Sequence, residues 1–438
     1  MNVSRSVNRA PSRSATLLAT GALLANGFAG VVVTAPVQAA SSVSAYAIVG
    51  QLTGCADPFE MTVIRGPHGD DTVYVACEAG ESVAVITDDS TDGQVDDSIP
   101  LWAGSMPSQL TSGDSGDTIY VLDADGRTIG AIAPGATSSD DSRSLNDAIF
   151  AIAASSDDTL YAAVDVTELL DGDDTIVVIN PGFGSVDDSF GVQIEVFALA
   201  ASDDTLYGFG YFPDTDTWGI GAINMLTNTL DDTAPIEGYE DRAGIYVSLA
   251  AGDTSLFVAG PAAGDDTRMW AINPQTLAID DSVPLSISGS GSAVAPGGLL
   301  VTTARQQLEI LDQSLVSLGV ITMPVPSADI INSQAVTRSN VIYTGDYENS
   351  LIYRIAQVTS SLGASAGAAG DTVTLTVAPS ASDVTVDDST VVAVNFGNTE
   401  ATVISAGRNS FDVTVPPGSG TVAVNIELNG VELSLIHI

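Results

Sequence analysis

The stretch Asp71-Thr72-Val73-Tyr74-Val75, which returns as Asp117-Thr118-Ile119-Tyr120-Val121, decides the fold. Each copy places an aspartate-containing turn before a short apolar strand that carries an aromatic residue. Further copies follow: Asp158-Thr159-Leu160-Tyr161, Asp204-Thr205-Leu206-Tyr207, Ser255-Leu256-Phe257-Val258, Leu299-Leu300-Val301 and Val341-Ile342-Tyr343. The central residue of each copy serves as an anchor, and the seven anchors are Tyr74, Tyr120, Tyr161, Tyr207, Phe257, Leu300 and Tyr343. They recur about every 41–50 residues, which indicates a repeat architecture.

Each repeat contains more strands than the anchor strand. A second apolar strand follows about nine residues after most anchors, as in Val83-Ala84-Val85-Ile86, and another precedes many of them, as in Phe150-Ala151-Ile152-Ala153 and Phe197-Ala198-Leu199-Ala200. An Asp-Asp step then leads to an outer strand, as in Val95-Asp96-Asp97-Ser98-Ile99. Four strands at this period predict an all-β fold, a seven-bladed β-propeller over residues 46–356.

The ends of the repeat array predict how the ring closes. The last repeat runs out after Ile355 without an outer strand of its own, whereas residues 46–52 resemble an outer strand that precedes the first anchor. We therefore expect residues 46–52 to pair with the last blade. Such pairing would remove an exposed sheet edge, and the alternative is an open array of β-repeats.

The repeats resemble the YVTN-type (YncE-like) repeats of secreted seven-bladed propellers. The matching segments are Asp71-Thr72-Val73-Tyr74-Val75-Ala76, Ser82-Val83-Ala84-Val85-Ile86-Thr87 and Val95-Asp96-Asp97-Ser98-Ile99-Pro100. Ala76-Cys77 stands where the family usually has an asparagine. The resemblance implies a cell-surface or extracellular propeller.

Charge narrows the classes of partner. The chain has 55 acidic and 12 basic residues, all of the latter arginine, and its formal net charge is -43. A surface this negative repels nucleic acids and anionic lipids, so we expect neither as a partner. The acidic surface is either a display surface for cations or a well-hydrated exterior suited to salty surroundings.

The first forty residues predict export. Three arginines precede an apolar run, and small residues around Ala39 suit signal peptidase, so residues 1–40 form a predicted signal peptide. An uncleaved anchor is the alternative. No other stretch is long and apolar enough to span a bilayer. Cys55 and Cys77 are the only cysteines, and in an oxidising compartment they predict a disulfide rather than two buried thiols.

The C-terminal part predicts a second domain. Residues 357–370 are small and polar, which is typical of a linker. Alternating strands over 371–432 predict a β-sandwich. It resembles an IPT/TIG immunoglobulin-like domain through Asn395-Phe396-Gly397, Val415-Pro416-Pro417-Gly418 and Leu428-Asn429-Gly430. Residues 433–438 match a translated sequencing-library adapter, and we interpret them as an artefact that truncates the sandwich.

The sequence contains no clear catalytic set. His68 lies in a turn, and His437 falls in the suspected artefact, so neither a histidine-based zinc site nor a catalytic triad is supported. Asp123 and Asp125, and likewise Asp214 and Asp216, alternate as calcium ligands do, but neither pair leads to the distal glutamate of an EF-hand loop. Structural calcium is therefore a hypothesis beside plain turns, and no other cofactor is expected.

Three functions remain open. The first is a non-catalytic monomeric scaffold that binds a protein, glycan or cell-wall partner across its loop faces. The second is a metal-dependent hydrolase or lactonase with carboxylate ligands at the propeller channel. The third is a structural, acidic envelope protein. An exposed apolar patch on one loop face would favour the first function.

Overall fold

The computed structural model describes residues 43–437, except for 66–70, 88–92, 114–117, 134, 140, 166–173, 181–185, 203, 241–246, 253, 264–266, 288–289, 295–297, 305, 325–330, 364–366, 380–385, 387–391, 408, 419–422 and 429–430. The predicted signal peptide and His68 therefore lie outside the described residues. All regular elements in the described part are strands. It contains no helix long and apolar enough to cross a membrane.

Six consecutive four-stranded antiparallel sheets begin after the first strand, β1 (Val43–Leu52). Sheets 1 to 3 are formed by β2 (Pro58–Arg65), β3 (Asp71–Cys77), β4 (Ser82–Thr87) and β5 (Asp97–Pro100); β6 (Pro107–Ser112), β7 (Ile119–Asp123), β8 (Thr128–Ile132) and β9 (Asp141–Ser144); and β10 (Ala148–Ala154), β11 (Leu160–Asp165), β12 (Thr175–Ile179) and β13 (Val186–Gly191).

Sheets 4 to 6 repeat the same order. They are formed by β14 (Glu195–Ser202), β15 (Thr205–Phe212), β16 (Thr217–Asn224) and β17 (Thr229–Pro235); β18 (Ser248–Ala251), β19 (Leu256–Pro261), β20 (Thr267–Ile272) and β21 (Ile279–Pro284); and β22 (Ser290–Val294), β23 (Leu300–Ala304), β24 (Gln307–Leu311) and β25 (Ser317–Thr322). Each sheet therefore consists of three successive hairpins made from adjacent chain segments.

The seventh sheet, called the closing sheet below, contains β26 (Ile331–Val336), β27 (Ile342–Asp346) and β28 (Leu351–Leu362), and β1 supplies its outer strand. β1 runs antiparallel to β28, with Leu52 opposite Ile352 and Ile48 opposite Ile355. This pairing confirms the prediction that residues 46–52 complete the last blade.

The first strands of the seven sheets contact one another in a closed cycle. Strand β2 contacts β6, the contacts continue through β10, β14, β18 and β22 to β26, and β26 contacts β2 again. A closed ring of four-stranded antiparallel sheets is a β-propeller. The second strand of every sheet carries the anchor, and all seven anchors are buried. The recurring Tyr is therefore a core residue, which explains its period.

Apolar side chains fill the seams between neighbouring sheets. In one example, Tyr120 and Ile129 of sheet 2 pack with Leu160 and Val164 of sheet 3. In another, Tyr207 and Phe209 of sheet 4 pack with buried residues of sheet 5. Because each sheet is covered on both faces by its neighbours, the ring buries apolar surface that no single blade could bury.

The C-terminal strands are β29 (Thr372–Pro379), β30 (Val392–Phe396), β31 (Thr399–Glu400), β32 (Thr402–Gly407), β33 (Ser410–Thr414), β34 (Ala423–Leu428) and β35 (Val431–His437). β29, β33 and β32 extend the closing sheet, while β31, β30, β34 and β35 form another sheet. Leu375, Phe411, Val394 and Ile426, drawn from both sheets, share one buried cluster. Two sheets thus face each other here; the IPT/TIG assignment stays a prediction.

The structure differs from the predicted linker at 357–370. Residues 357–362 belong to β28, which pairs with β1 on one edge and with β29 on the other. Val358 and Ser360 are buried there. Small polar residues form a strand at this point because hydrogen-bonded neighbours on both edges satisfy their backbone. Residues 433–437 lie in β35; their interpretation as an artefact stays a prediction.

Candidate functional site

A cavity of about 290 Å³ occupies the centre of the ring. The lining residues that the structure describes come mainly from six innermost strands, and many are alanines such as Ala153, Ala154, Ala200 and Ala250. Small side chains are needed where neighbouring strands converge on an axis. Among the described lining residues, the polar side chains come from sheets 1, 2 and 7: Thr62, Asp71, Thr111, Ser112 and Gln334.

Asp71 is the single carboxylate among the described lining residues of this cavity. It is 2% exposed, and its Oδ2 accepts a 2.5 Å hydrogen bond from the backbone N–H of Arg338 in the closing sheet. The Arg338 Nε lies 3.9 Å from Oδ1. Asp71 therefore links sheet 1 to the closing sheet. In the described part of the chain, no three His, Cys, Asp or Glu residues are placed to hold a metal ion.

Three large apolar side chains are exposed where the innermost strands of three sheets begin. They are Met106 (48% exposed), Phe150 (46%) and Phe197 (45%), and we call them the apolar rim. Met106 directly precedes β6, whereas Phe150 and Phe197 are the third residues of β10 and β14. Because these strands are neighbours in the ring, the three side chains belong to three consecutive sheets.

Local backbone geometry explains why the two phenylalanines are exposed. The register of β10 against β11 shifts between Ile149 and Ala151, and that of β14 against β15 shifts between Val196 and Ala198. Phe150 and Phe197 are thus the extra residues of two equivalent β-bulges. A bulge interrupts the alternation of side chains and re-aims the extra residue.

Buried carboxylates hold the rim backbone in place. The Asp123 carboxylate accepts a hydrogen bond from the backbone N–H of Met106. Asp174, on sheet 3, accepts one from the N–H of Val196 at 2.6 Å, directly before Phe197. Both aspartates are almost fully buried, and burial raises the pKa of Asp123. These bonds satisfy N–H groups that would otherwise be unpaired and fix the position of the rim.

The part of the rim at Phe197 belongs to a group of aromatic residues centred on Trp218. The Trp218 ring centroid lies 5.0 Å from Phe197, 5.2 Å from Tyr239, 5.7 Å from Tyr211 and 5.8 Å from Phe209. We call these five residues the aromatic cluster. Aromatic residues make up only 6% of the chain, so their concentration at the seam between sheets 4 and 5 is unusual.

Acidic side chains surround the exposed edge of the aromatic cluster. The Tyr211 hydroxyl donates a 2.7 Å hydrogen bond to the Asp216 carboxylate. Glu195 is directly opposite Tyr211 in the pairing of β14 with β15, and both acidic residues are exposed. The bond to Asp216, followed by desolvation and the charges of Asp216 and Glu195, raises the pKa of Tyr211.

The structure separates the four calcium candidates. Asp123 ends β7 and Asp125 lies in the turn between β7 and β8 in sheet 2, while Asp214 and Asp216 lie between β15 and β16 in sheet 4. Asp125 accepts hydrogen bonds from the backbone of Arg127 and Thr128, as a turn aspartate does. The pairs lie in sheets that are not neighbours. Calcium binding stays a hypothesis.

The two cysteines form a disulfide between the segment after β1 and the end of β3, with a Cα–Cα distance of 5.2 Å. Both are buried.

The apolar rim cannot be identified as a site from the sequence. The segments that begin at Phe150 and Phe197 are recognisable as strands, but their pattern does not reveal the bulges that expose the rings.

No protein-family model and no curated protein matches this chain. Solved structures do. Hydrazine synthase of Kuenenia stuttgartiensis is 14% identical with a TM-score of 0.52, and the match covers 69% of this chain and 96% of that chain. The WD40 β-propeller domain of Doa1 is 13% identical with a TM-score of 0.52, covering 71% and 97%. Raptor of Chaetomium thermophilum is 12% identical with a TM-score of 0.55, covering 70% and 29%. At this identity, the likeness identifies the fold of the chain, which is a β-propeller.

Proposed function

We propose that this protein is an exported, seven-bladed propeller scaffold that binds a partner at the apolar rim and catalyses no reaction. The apolar rim carries the proposal. Met106, Phe150 and Phe197 come from three neighbouring sheets and are each nearly half exposed. Because they occupy corresponding ends of neighbouring strands, we infer that they form one apolar patch, and contiguous exposed apolar patches mark interaction sites.

Two features of the rim suit binding. Buried carboxylates fix the backbone beside Met106 and Phe197, so the side chains are presented without a large cost of ordering. Aromatic residues also contribute heavily to binding energy at interfaces. A purely structural envelope role would not require an ordered apolar rim on a chain with a net charge of -43.

The metal-dependent hydrolase receives less support from the channel. A hydrolytic metal site needs several converging ligands with an open coordination position. Asp71 is the one carboxylate among the described lining residues, and it is engaged with Arg338. The scaffold function is therefore the better supported of the two.

The experiment measures binding of the purified protein to cell envelopes from the producing organism. A triple variant, Met106→Ser with Phe150→Ser and Phe197→Ser, removes the apolar rim and keeps the net charge. A matched control replaces three exposed apolar residues elsewhere, namely Leu226→Ser, Leu318→Ser and Val320→Ser. We expect the rim variant to lose at least about tenfold in affinity, as hot-spot truncation does, and the control to bind like wild type. Equal binding by all three proteins would refute the proposal.

A further inference from the structure

The aromatic cluster presents an electron-rich surface at the edge of the apolar rim. The faces of aromatic rings carry negative electrostatic potential, which attracts cations that approach from above. Phe197 is 45% exposed and stacks at a tilt on Trp218, so its outer face is accessible to solvent. The Tyr211 hydroxyl donates a hydrogen bond to the Asp216 carboxylate. This bond polarises the phenol, so that the ring face of Tyr211 becomes more electron-rich.

Carboxylates flank the same surface. Glu195 lies two residues before Phe197 on β14 and opposite Tyr211 on β15, and Asp216 accepts the hydrogen bond of Tyr211. A guanidinium group is planar, stacks on aromatic faces and donates hydrogen bonds to carboxylates at the same time. Aromatic faces beside exposed carboxylates therefore match an arginine side chain better than an anionic or neutral group.

We propose that the aromatic cluster, with Glu195 and Asp216, binds an arginine side chain in a basic segment of a partner protein. This inference rests on the proposed scaffold function and names its partner chemistry. A basic segment also complements the net charge of -43, which would accelerate its association at low salt. The arginine stacks on Phe197, and the rest of the segment lies across Phe150 and Met106.

The test measures the affinity of the full chain for a fluorescent octa-arginine peptide by anisotropy at about 0.15 M NaCl, where screening weakens non-specific attraction. Phe197→Leu keeps charge and apolar bulk and removes the ring. Phe150→Leu is the matched control, because Phe150 is the equivalent bulge residue of the neighbouring strand and has no aromatic partner among the described residues. We expect Phe197→Leu to weaken binding about 2- to 5-fold, as the loss of one exposed cation–π contact does, and Phe150→Leu to weaken it less.

Glu195→Gln supplies a second, independent readout. It removes one negative charge beside the rings, so it should also lower the affinity for the peptide and reduce the dependence of that affinity on salt. Glu400→Gln removes an exposed charge on β31, in the C-terminal strands, and serves as its control. Circular dichroism establishes that all variants are folded.

Two results would overturn this inference. One is equal affinity of Phe197→Leu and Phe150→Leu for the peptide, which would mean that attraction is only a matter of net charge. The other is the absence of peptide binding by the wild-type chain. Both leave the scaffold function standing if the triple rim variant still loses envelope binding, so the two proposals fail separately.

Discussion

The closing sheet and the six sheets before it share one four-stranded pattern but differ in where their strands lie in the chain. Sheets 1 to 6 join strands that follow one another directly, so each can form from local hairpins. The closing sheet pairs Val43–Leu52 with Leu351–Leu362, at opposite ends of the ring. Bringing such distant segments together costs loop entropy before the contacts compensate for it.

The seam beside the closing sheet is correspondingly reinforced. The Asp71 carboxylate accepts a hydrogen bond from the backbone N–H of Arg338, and the Ser350 hydroxyl donates a 3.2 Å hydrogen bond to the Asp57 carboxylate. The disulfide lies on the sheet 1 side of this seam.

Between sheets 5 and 6, residues such as Phe257 and Leu311 form an apolar cluster, and the Glu309 carboxylate accepts a 2.7 Å hydrogen bond from the N–H of Ser286. Apolar residues such as Val75 and Tyr343 pack across the closing seam too. The comparison teaches that the ring uses apolar packing and hydrogen bonds at both seams and adds a covalent link where its two ends meet.

The largest effect is expected from removing the closing strand. Deletion of residues 43–52 exposes the edge of β28, and we expect loss of a single cooperative unfolding transition together with aggregation. The point variant Ile48→Ala should cost about 2–5 kcal/mol, because Ile48 is fully buried between β28 and sheet 6. Gln51→Ala, an exposed position on the same strand, should change stability by less than about 0.5 kcal/mol. Urea denaturation measures both, and equal effects would show that closure does not depend on this core.

The disulfide should have the next largest effect. The pair Cys55→Ser and Cys77→Ser removes a link across 22 residues, and chain-entropy arguments predict a loss of about 3 kcal/mol. Denaturation of the wild type with and without reductant measures the same quantity. Mass analysis of unreduced peptides should show Cys55 linked to Cys77. Free thiols in the exported protein, or unchanged stability on reduction, would contradict this prediction.

Asp71 and Arg338 should contribute unequally to the seam. Asp71→Ala leaves the partly buried N–H of Arg338 without its acceptor, which should cost about 1–3 kcal/mol. Arg338→Ala keeps that backbone bond and removes a side chain that is 40% exposed, so it should cost at most about 1 kcal/mol. Chemical denaturation of both variants separates the two roles. If Arg338→Ala proved the more damaging, the ion pair rather than the backbone bond would hold the seam.

The contrast between sheets also explains what the sequence could predict. The anchor residues, such as Tyr120 and Tyr343, can be recognised in the sequence because every sheet buries its anchor in the same way. The anchors therefore recur with the period of the repeat. Closure by residues 46–52 follows from counting strands in the last repeat. The continuation of β28 through 357–362 does not, because its partners, β1 and β29, are remote in sequence.

The site was harder to predict than the fold for a related reason. Strand periodicity assigns Phe150 and Phe197 only to strands, and their exposure arises from bulges set by register with the neighbouring strand. Asp123 resembles a metal ligand in sequence, yet in the folded chain it is 6% exposed and its carboxylate accepts a hydrogen bond from the backbone N–H of Met106. Such partners come from tertiary structure, which the spacing of aspartates does not encode.

Glu60 gives the seam a predicted pH dependence. It lies on β2 beside the closing sheet, and burial raises its pKa from 4.5 to about 8. Because the folded state binds this proton more tightly than the unfolded state, the stabilisation is complete below pH 4.5 and is lost as the pH rises through about 8. Glu60→Gln should flatten the decline of unfolding free energy over this range, while Glu237→Gln, at an exposed position, should keep the wild-type slope. Identical slopes for all three proteins would exclude Glu60 as the cause.

Salt should produce the smallest effect and act on all sheets alike. With a net charge of -43, repulsion between carboxylates opposes the compact state, and added NaCl screens it. The melting temperature of the wild type should therefore rise by a few degrees between low and high NaCl. Ile48→Ala should show the same increment from a lower starting value, because its defect is apolar and local to the closing sheet. A larger increment in Ile48→Ala would instead mean that repulsion acts mainly on the ring's junction, and no increment in either protein would mean that self-repulsion does not limit stability.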